Sequence, residues 1–490
     1  MTITRDPETG RELTTQLGNV TRERTYTAFG EPESYTAKFS GTEIYYEHYT
    51  YNKLGWITDL ERRQNGFNED LHYEYDDRGR LIEVWRGGAL ESSYTYDANS
   101  NRLSYTGPLG NAAGTYDQRD RMLTYGGATY SWSEAGELQS KTEGGFTTTY
   151  DYDVFGNLRK VELPNGIEIE YLTDGAQRRI GKKVDGVLVK QWLYKDSLEP
   201  LAELDGDNVI LSRFHYGTRG TTPDFVSKPL GIFRYVADFF GSPRIVVEVA
   251  SGLVLQELRY NEFGSSMLDT NPGVQPFGFT GAIYERELGL LKLGARDYES
   301  SSGRWILGEK NGISSIESNR YVYSGADPIN FHDPTGFERG ELVFFSKKPS
   351  SDFPYHVGFD TGNDQIMMLT HGQIGTVPLR DYAVVNGYGV IGYGDLKDFV
   401  APDDFVKNLT AAAPVLEQNF QQWQPTGTVC IDIVAAGMGS GYKKFQDAIR
   451  ANFKSNPSTY PTPMSDNYFW RRNSTLTTYF QNVGLFRKAP

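Results

Sequence analysis

One repeat constrains this chain more than any other feature. YEYDDRGRLIEV begins at 73, YTYDANSNRLSY at 94, GTYDQRDRMLTY at 114, YSWSEAGELQSK at 130 and YDYDVFGNLRKV at 150. The second aromatic of each unit is Tyr75, Tyr96, Tyr116, Trp132 and Tyr152, at steps of 21, 20, 16 and 20 residues. Each unit alternates aromatic and polar residues, passes through an Asp/Gly/Asn turn and resumes alternation at a Leu or Met. Alternation on both sides of turn residues predicts a β-hairpin. A lone hairpin cannot bury its apolar face, so the units must stack into a continuous sheet. Weaker copies run on through IEYLTDGAQRRIGKKV, RFHYGTRG and LRYNEFGSSM, and the 33 Tyr and 53 Gly suit strands and turns over long helices.

Composition excludes several classes. A single cysteine leaves no internal disulfide. No apolar run reaches the length of a membrane-spanning helix. The opening MTITRDPETGRELTTQLGNV is polar, so no secretory signal peptide is expected and export would need a dedicated machine. Residues 338–490 hold 14 Lys and Arg against 14 Asp and Glu, so the whole net charge of -14 falls on the first 337. An acidic surface does not neutralise phosphates, and no nucleic-acid partner is expected. GMGSG lacks the following GK[ST] of a phosphate loop, no dinucleotide fingerprint occurs, and the histidines do not cluster with Cys430. No cofactor and no metal are expected.

The repeat is followed by FGFTGAIYERELGLLKLGARDYESSSGRW at 277–305. Together they resemble the RHS/YD-repeat proteins over roughly residues 40–337. That resemblance implies a mainly β fold: a spiralling sheet wound into a cocoon-like shell around a C-terminal polypeptide, usually a toxin. It places the shell at 1–337 and the toxin domain at 338–490. INFHDPTGF at 329–337 matches the closing DPxG motif at Asp333, Pro334 and Gly336. In the family two such motifs supply aspartates that act as an autoprotease and cut just past the second, which here means near Phe337. At the upstream motif this chain has Glu309 and Lys310 in place of Asp-Pro, keeps Gly312, and runs two residues longer to Asp333. Glu309 keeps the carboxyl group on a longer stem; alternatively, the exchange marks a shell that no longer cuts itself. DPTG is also a plain Pro-Gly turn ending the shell.

Beyond the motif the runs ELVFF, YHVGFD and QIMMLT read as strands, with TGND as the turn between the second and third. His356 heads the second. Cys430 follows a turn and opens an apolar helical pattern that stops at Gly437, Gly439 and Gly441. A thiol at a helix N-terminus is acidified by the macrodipole, and an imidazole on a neighbouring strand would complete a thiolate–imidazolium pair. Against that stands the ordinary role of a lone Cys or strand His in packing. HVGFDTGNDQIMMLTHGQIGTVPL resembles the histidine strand of NlpC/P60 papain-like hydrolases, and the His-before-Cys order resembles their permuted branch. The resemblance implies a small α+β domain, an amide or ester substrate in a peptide, protein or lipid, and a third polar residue orienting His356. His371 is the first candidate for that place and Asp360 the second. Rival readings are an ADP-ribosyltransferase, deamidase or nuclease cargo, and a non-enzymatic RHS surface or binding protein. The toxin resemblance further implies a cognate immunity protein, a secretion apparatus or carrier, and delivery into a target cell. Arg471, Arg472, Arg487 and Lys488 near the C-terminus would touch an anionic surface or lie on a solvated hairpin.

Overall fold

Each repeat folds as an antiparallel hairpin whose turn is written in its side chains. In the computed structural model Phe67–Tyr75 pairs with Leu81–Arg86, with Tyr75 opposite Leu81. Between them Asp76 Oδ1 accepts the backbone N–H groups of Arg78 and Arg80 at 2.9 and 3.0 Å, and Oδ2 accepts Arg80 Nε at 2.7 Å. Asp97, Asp117 and Asp153 repeat this arrangement with Asn101, Arg121 and Asn157 as the side-chain donors. A carboxylate at the turn entrance thus replaces the ladder bonds that the chain reversal breaks. The fourth turn residue is left-handed, at φ +80° in Gly79. Ser100 and Asp120 hold the same region at +63° and +61°, which explains why this position is not always glycine.

The aromatic before each turn has its own partner. Tyr75 Oη donates to the carbonyl of Ile57 at 2.6 Å, Tyr96 to Leu81 at 2.9 Å and Tyr116 to Arg102 at 2.6 Å. Tyr26, Tyr51, Tyr194 and Tyr216 do the same to Glu12, Pro32, Arg179 and Pro200. Every acceptor is the first residue of a strand upstream. Trp132 keeps the bond with its indole, Nε1 to Met122 O at 2.7 Å, so the departure from Tyr preserves the donor. Tyr152 breaks the series, its hydroxyl buried without a partner. Tyr116→Phe is expected to lower stability by about 1 kcal/mol, seen as a lower urea midpoint at unchanged slope.

The structure describes residues 1–308 and 319–336, apart from 8, 176–177, 196–197, 219–220 and 335, and beyond them the backbone of six strands between 341 and 488. The chain divides into two units, Met1–Lys310 with Asn319–Gly336, and Asn311–Ser318 with Phe337–Pro490. In the first, 26 strands from Thr2–Arg5 to Ser266–Asp269 form one sheet, and the register pairs each strand antiparallel with the next in sequence. The shell is therefore a single meander. At the ends opposite the Asp turns, Asn65 and Gly66 (φ +45° and +85°) and Asp185 and Gly186 (+48° and +76°) make the two-residue reversals that match strand twist.

The strip curls until distant strands meet. Val20, Tyr35, Ala37 and Tyr45 pack with Val236, Ile245 and Val247, and the rings of Tyr94 and Phe263 lie 5.2 Å apart. Buried Arg22 reaches Asp224 at 2.5 Å and Thr15 at 2.9 Å. The 277–305 block forms a separate four-stranded sheet, Ile283–Glu285, Leu290–Leu293, Arg296–Glu299 and Arg304–Trp305. Leu290, together with Ile306 just beyond the block, packs among Met122, Leu138, Val161 and Ile169 of the strip. Its charges are buried and paired across the interface: Asp297 with Arg179 at 2.9 Å, Glu285 with Lys182 at 2.8 Å and Glu299 with Lys141 at 3.0 Å. Burial pushes the Asp297 carboxyl up, but Arg179 and Lys292 outweigh it and hold the group below the usual carboxylate range.

The second unit contains a six-stranded antiparallel sheet in the order Gln373–Pro378, Gln365–Thr370, His356–Gly362, Glu341–Ser346, Gly389–Asp395 and Phe486–Lys488. The three runs read as strands from sequence are its second, third and fourth members. The helix expected from Cys430 lies outside the described residues. Among the described residues no helix is long and apolar enough to cross a membrane.

Candidate functional site

The DPTG motif ends the first unit, and the residues before it are pinned to the strip one after another. Asn319 donates to Asn101 Oδ1 at 2.6 Å and to the carbonyl of Asn99 at 2.9 Å. Asp327 accepts the backbone N–H of Asn330 at 3.1 Å. Asn330 in turn accepts the N–H of Ile57 at 2.7 Å and donates to Tyr75 Oη at 3.0 Å. The His332 ring lies 4.9 Å from that of Phe240. These contacts deliver Asp333 to a fixed place.

There Asp333 Oδ1 accepts the Gly336 N–H at 2.8 Å, closing the turn over Pro334. Oδ2 accepts Arg296 Nη2 at 3.3 Å, and the Asp333 N–H points at Tyr323 Oη at 3.4 Å. Arg296 also donates Nε to the Gly336 carbonyl at 2.7 Å and Nη1 to the Arg320 carbonyl at 3.3 Å, with its guanidinium 4.0 Å above the Trp305 ring. One planar donor therefore fixes both the carboxylate and the backbone three residues on. Gly336 sits at φ +69°, and a Cβ there would lie 2.7 Å from Leu293 O and 2.9 Å from Arg296 N. The glycine of the motif is demanded twice, by backbone conformation and by space. Burial and the Asp333 charge hold the Tyr323 phenol well above its ordinary range, so it stays neutral.

Of the residues singled out from sequence, Asp333 is thus placed in full. Glu309, Phe337, His371 and Cys430 lie outside the described residues. His356 is the first residue of an interior strand, opposite Phe345. Asp360 stands four residues along the same strand. His48 and His72 fall in repeat strands, and His215 stacks on Phe225 at 4.2 Å. Arg296 was not singled out. Its only signal in sequence is the GARDY of the conspicuous 277–305 block. Among the described residues no group of three or more His, Cys, Asp or Glu is placed to hold a metal ion.

Comparison with known proteins fits this architecture. The Teneurin YD-shell family matches residues 1–329. Teneurin-4 of Mus musculus is 25% identical over 327 residues, which cover 64% of this chain and 12% of that protein. Teneurin-1 of Homo sapiens is 31% identical over 243 residues, 48% of this chain and 9% of that one. The tRNA3(Ser)-specific nuclease WapA of Bacillus spizizenii is 25% identical over 293 residues, 58% of this chain and 11% of that one. The chain thus spans about a tenth of the length of these relatives. Among solved structures, TcdB2-TccC3-TEV aligns with 67% of this chain and 21% of its own at 16% identity and a TM-score of 0.40.

Proposed function

Because the chain belongs to the Teneurin YD-shell family, we propose that residues 1–337 are an RHS-type shell ending in the DPxG motif and residues 338–490 the toxin it carries. The observation that carries this reading is the double grip of Arg296 on Asp333 and Gly336 at the last turn of the shell. A carboxylate held beside its own downstream backbone is suited to hydrolyse it. Asp333 takes a proton from water as the oxygen attacks the carbonyl carbon of Phe337. Glu309, as the protonated acid, gives its proton to the departing nitrogen of Glu338. The amide bond breaks, and a carboxyl and an amine result. Intact mass and N-terminal sequencing test the cut: the released fragment should begin at Glu338.

For the cargo, the proposed chemistry is attack by Cys430 on an amide or ester carbonyl. His356 takes the thiol proton and returns it to the leaving group, His371 orients the imidazole, and the N–H of Cys430 faces the oxyanion. A peptide, a protein side chain or a lipid ester fits this chemistry. The setting is export without a signal peptide by a dedicated apparatus, delivery into a target cell, and a cognate immunity protein in the producer. Expression of residues 338–490 in a bacterium is expected to stop growth, and Cys430→Ala and His356→Ala should each restore it. Growth arrest that survives both substitutions sinks the hydrolase. A nuclease cargo is the second reading, favoured by the similarity to a tRNA-specific nuclease. The balanced charge of 338–490 weighs against it, and RNA breakdown independent of Cys430 would be its mark.

A further inference from the structure

The meander sorts its connections onto two rims, because each strand runs antiparallel to the one before and alternate turns fall on the same edge. One rim carries the Asp turns, and later residues of the first unit bond to it. Arg304 donates to the Asp120 carbonyl at 2.7 Å, Asn319 to that of Asn99 at 2.9 Å and Tyr321 to that of Gly136 at 3.1 Å. The opposite rim closes on itself. A Cβ on Gly18 would lie 2.5 Å from Val249 Cγ1, and one on Gly252 would lie 2.5 Å from the Phe39 ring, so its first connections meet its last.

That second rim is apolar. Leu90, Leu109, Phe146, Val187, Leu230 and Leu253 come from six different connections along it and are 49–89% exposed. The tips Gly87-Gly88, Gly126-Gly127 and Gly144-Gly145 among them carry neither charge nor side chain, and Asp185 and Asp207 are the acidic exceptions. Tips on the Asp-turn rim instead hold Asp77, Arg78, Arg119 and Glu134. Large apolar side chains gathered along one exposed border mark a surface that a partner covers. Depletion of charge is the mark of an interface centre.

Spacing and charge say which partner. Neighbouring connections on one rim lie two strands apart, about 10 Å. Apolar studs therefore stand among bare glycine tips at multiples of that interval. A surface built from the same hairpins has the same interval, so two identical rims can seat the studs of each in the gaps of the other about a two-fold axis. The net charge of -14 keeps copies apart wherever it is dense, and it is thin at this rim. Six studs present on the order of 100 Å² each. With the turn backbone between them they approach the roughly 800 Å² per partner of a standard interface.

We infer that this rim is the contact between two copies of the chain, joined rim to rim in a symmetric dimer. The reading concerns the first unit and stands whether or not the chain cuts itself or the cargo is a hydrolase.

The test is sedimentation of the full-length protein from nanomolar to micromolar concentration, where a dimer is expected at the upper end. Leu230→Glu combined with Phe146→Glu sets acidic groups on both faces of the contact and should weaken the dimer at least tenfold. Both positions are exposed, so an unchanged thermal midpoint is expected, and Leu253→Glu alone is the second variant should that pair lower it. Phe29→Glu combined with Phe155→Glu alters tips of matching exposure on the Asp-turn rim and should leave the dimer intact. A monomer at every concentration, a dimer untouched by the Leu230 and Phe146 changes, or one lost equally with the Phe29 and Phe155 changes would each overturn the proposal. So would a monomer that binds phosphatidylcholine vesicles until Leu230 and Phe146 are changed, because that result gives the rim to a membrane.

Discussion

Under the proposed autocleavage, Asp333→Asn is expected to leave the chain at full length under conditions where the unsubstituted protein is cut after Phe337, a loss of about 10²–10⁴-fold in cleavage rate. The substitution is nearly isosteric. An asparagine Oδ1 still accepts the Gly336 N–H, so the turn persists. The group facing Arg296 loses its charge and can no longer take a proton from water. A gel followed over hours after purification reads the result, and an unchanged thermal midpoint shows that the shell still folds. Arg296→Gln should slow the cut as well, because the Gly336 carbonyl loses its 2.7 Å donor. Glu309→Gln separates the two histories left open by the sequence: it stops a working pair and changes nothing in a shell already inert. Cleavage that continues in Asp333→Asn means that another group does the work.

The second large effect falls far from that turn. Arg22→Met is expected to destabilise the first unit by about 3–5 kcal/mol, a large share of a typical domain's stability. Arg22 and Asp224 are 2% and 1% exposed, and their 2.5 Å contact joins residues 202 apart. Without the guanidinium, Asp224 keeps the N–H groups of Gly217 and Thr218 at 2.7 and 2.9 Å but remains a buried charge lacking its counter-charge. Replacing both, as Arg22→Met with Asp224→Leu, should recover much of the loss, because no unpaired charge is then left. Urea midpoints of the two singles and the double measure the coupling. The pH dependence has a definite sign. Burial pushes the Asp224 carboxyl up, but Arg22 and the Thr218 hydroxyl outweigh it and hold the group below its ordinary value. Its contribution is present above the unfolded carboxylate range and is lost as pH falls through the lower folded value. Arg22→Met should therefore move acid unfolding to higher pH.

The hairpins were legible because period-two alternation and Asp-x-x-Gly turns are local, and three strands of the second unit were legible for the same reason. What lay beyond reading was the pairing that needs closure. Glu285, Asp297, Glu299 and Arg304 look like a polar surface in sequence. They are buried because Arg179, Lys182, Lys141 and Asn101 arrive from repeats over a hundred residues away. Gly389–Asp395 lies beside Glu341–Ser346, and Phe486–Lys488 beside that, neither adjacent in sequence. At the candidate site the motif exposed Asp333, but nothing local tied it to Arg296, 37 residues upstream.

The phenol bonds of the strip also have a direction. Tyr75, Tyr96, Tyr116 and Trp132 each reach back to a carbonyl that was made earlier, and none of these four bonds reaches forward. For each of these four bonds a hairpin joining the growing edge finds its acceptor already in place, and the contacts to later residues are added on closure. Such a wall suits vectorial assembly, laid course upon course as the polypeptide leaves the ribosome or the mouth of a narrow channel.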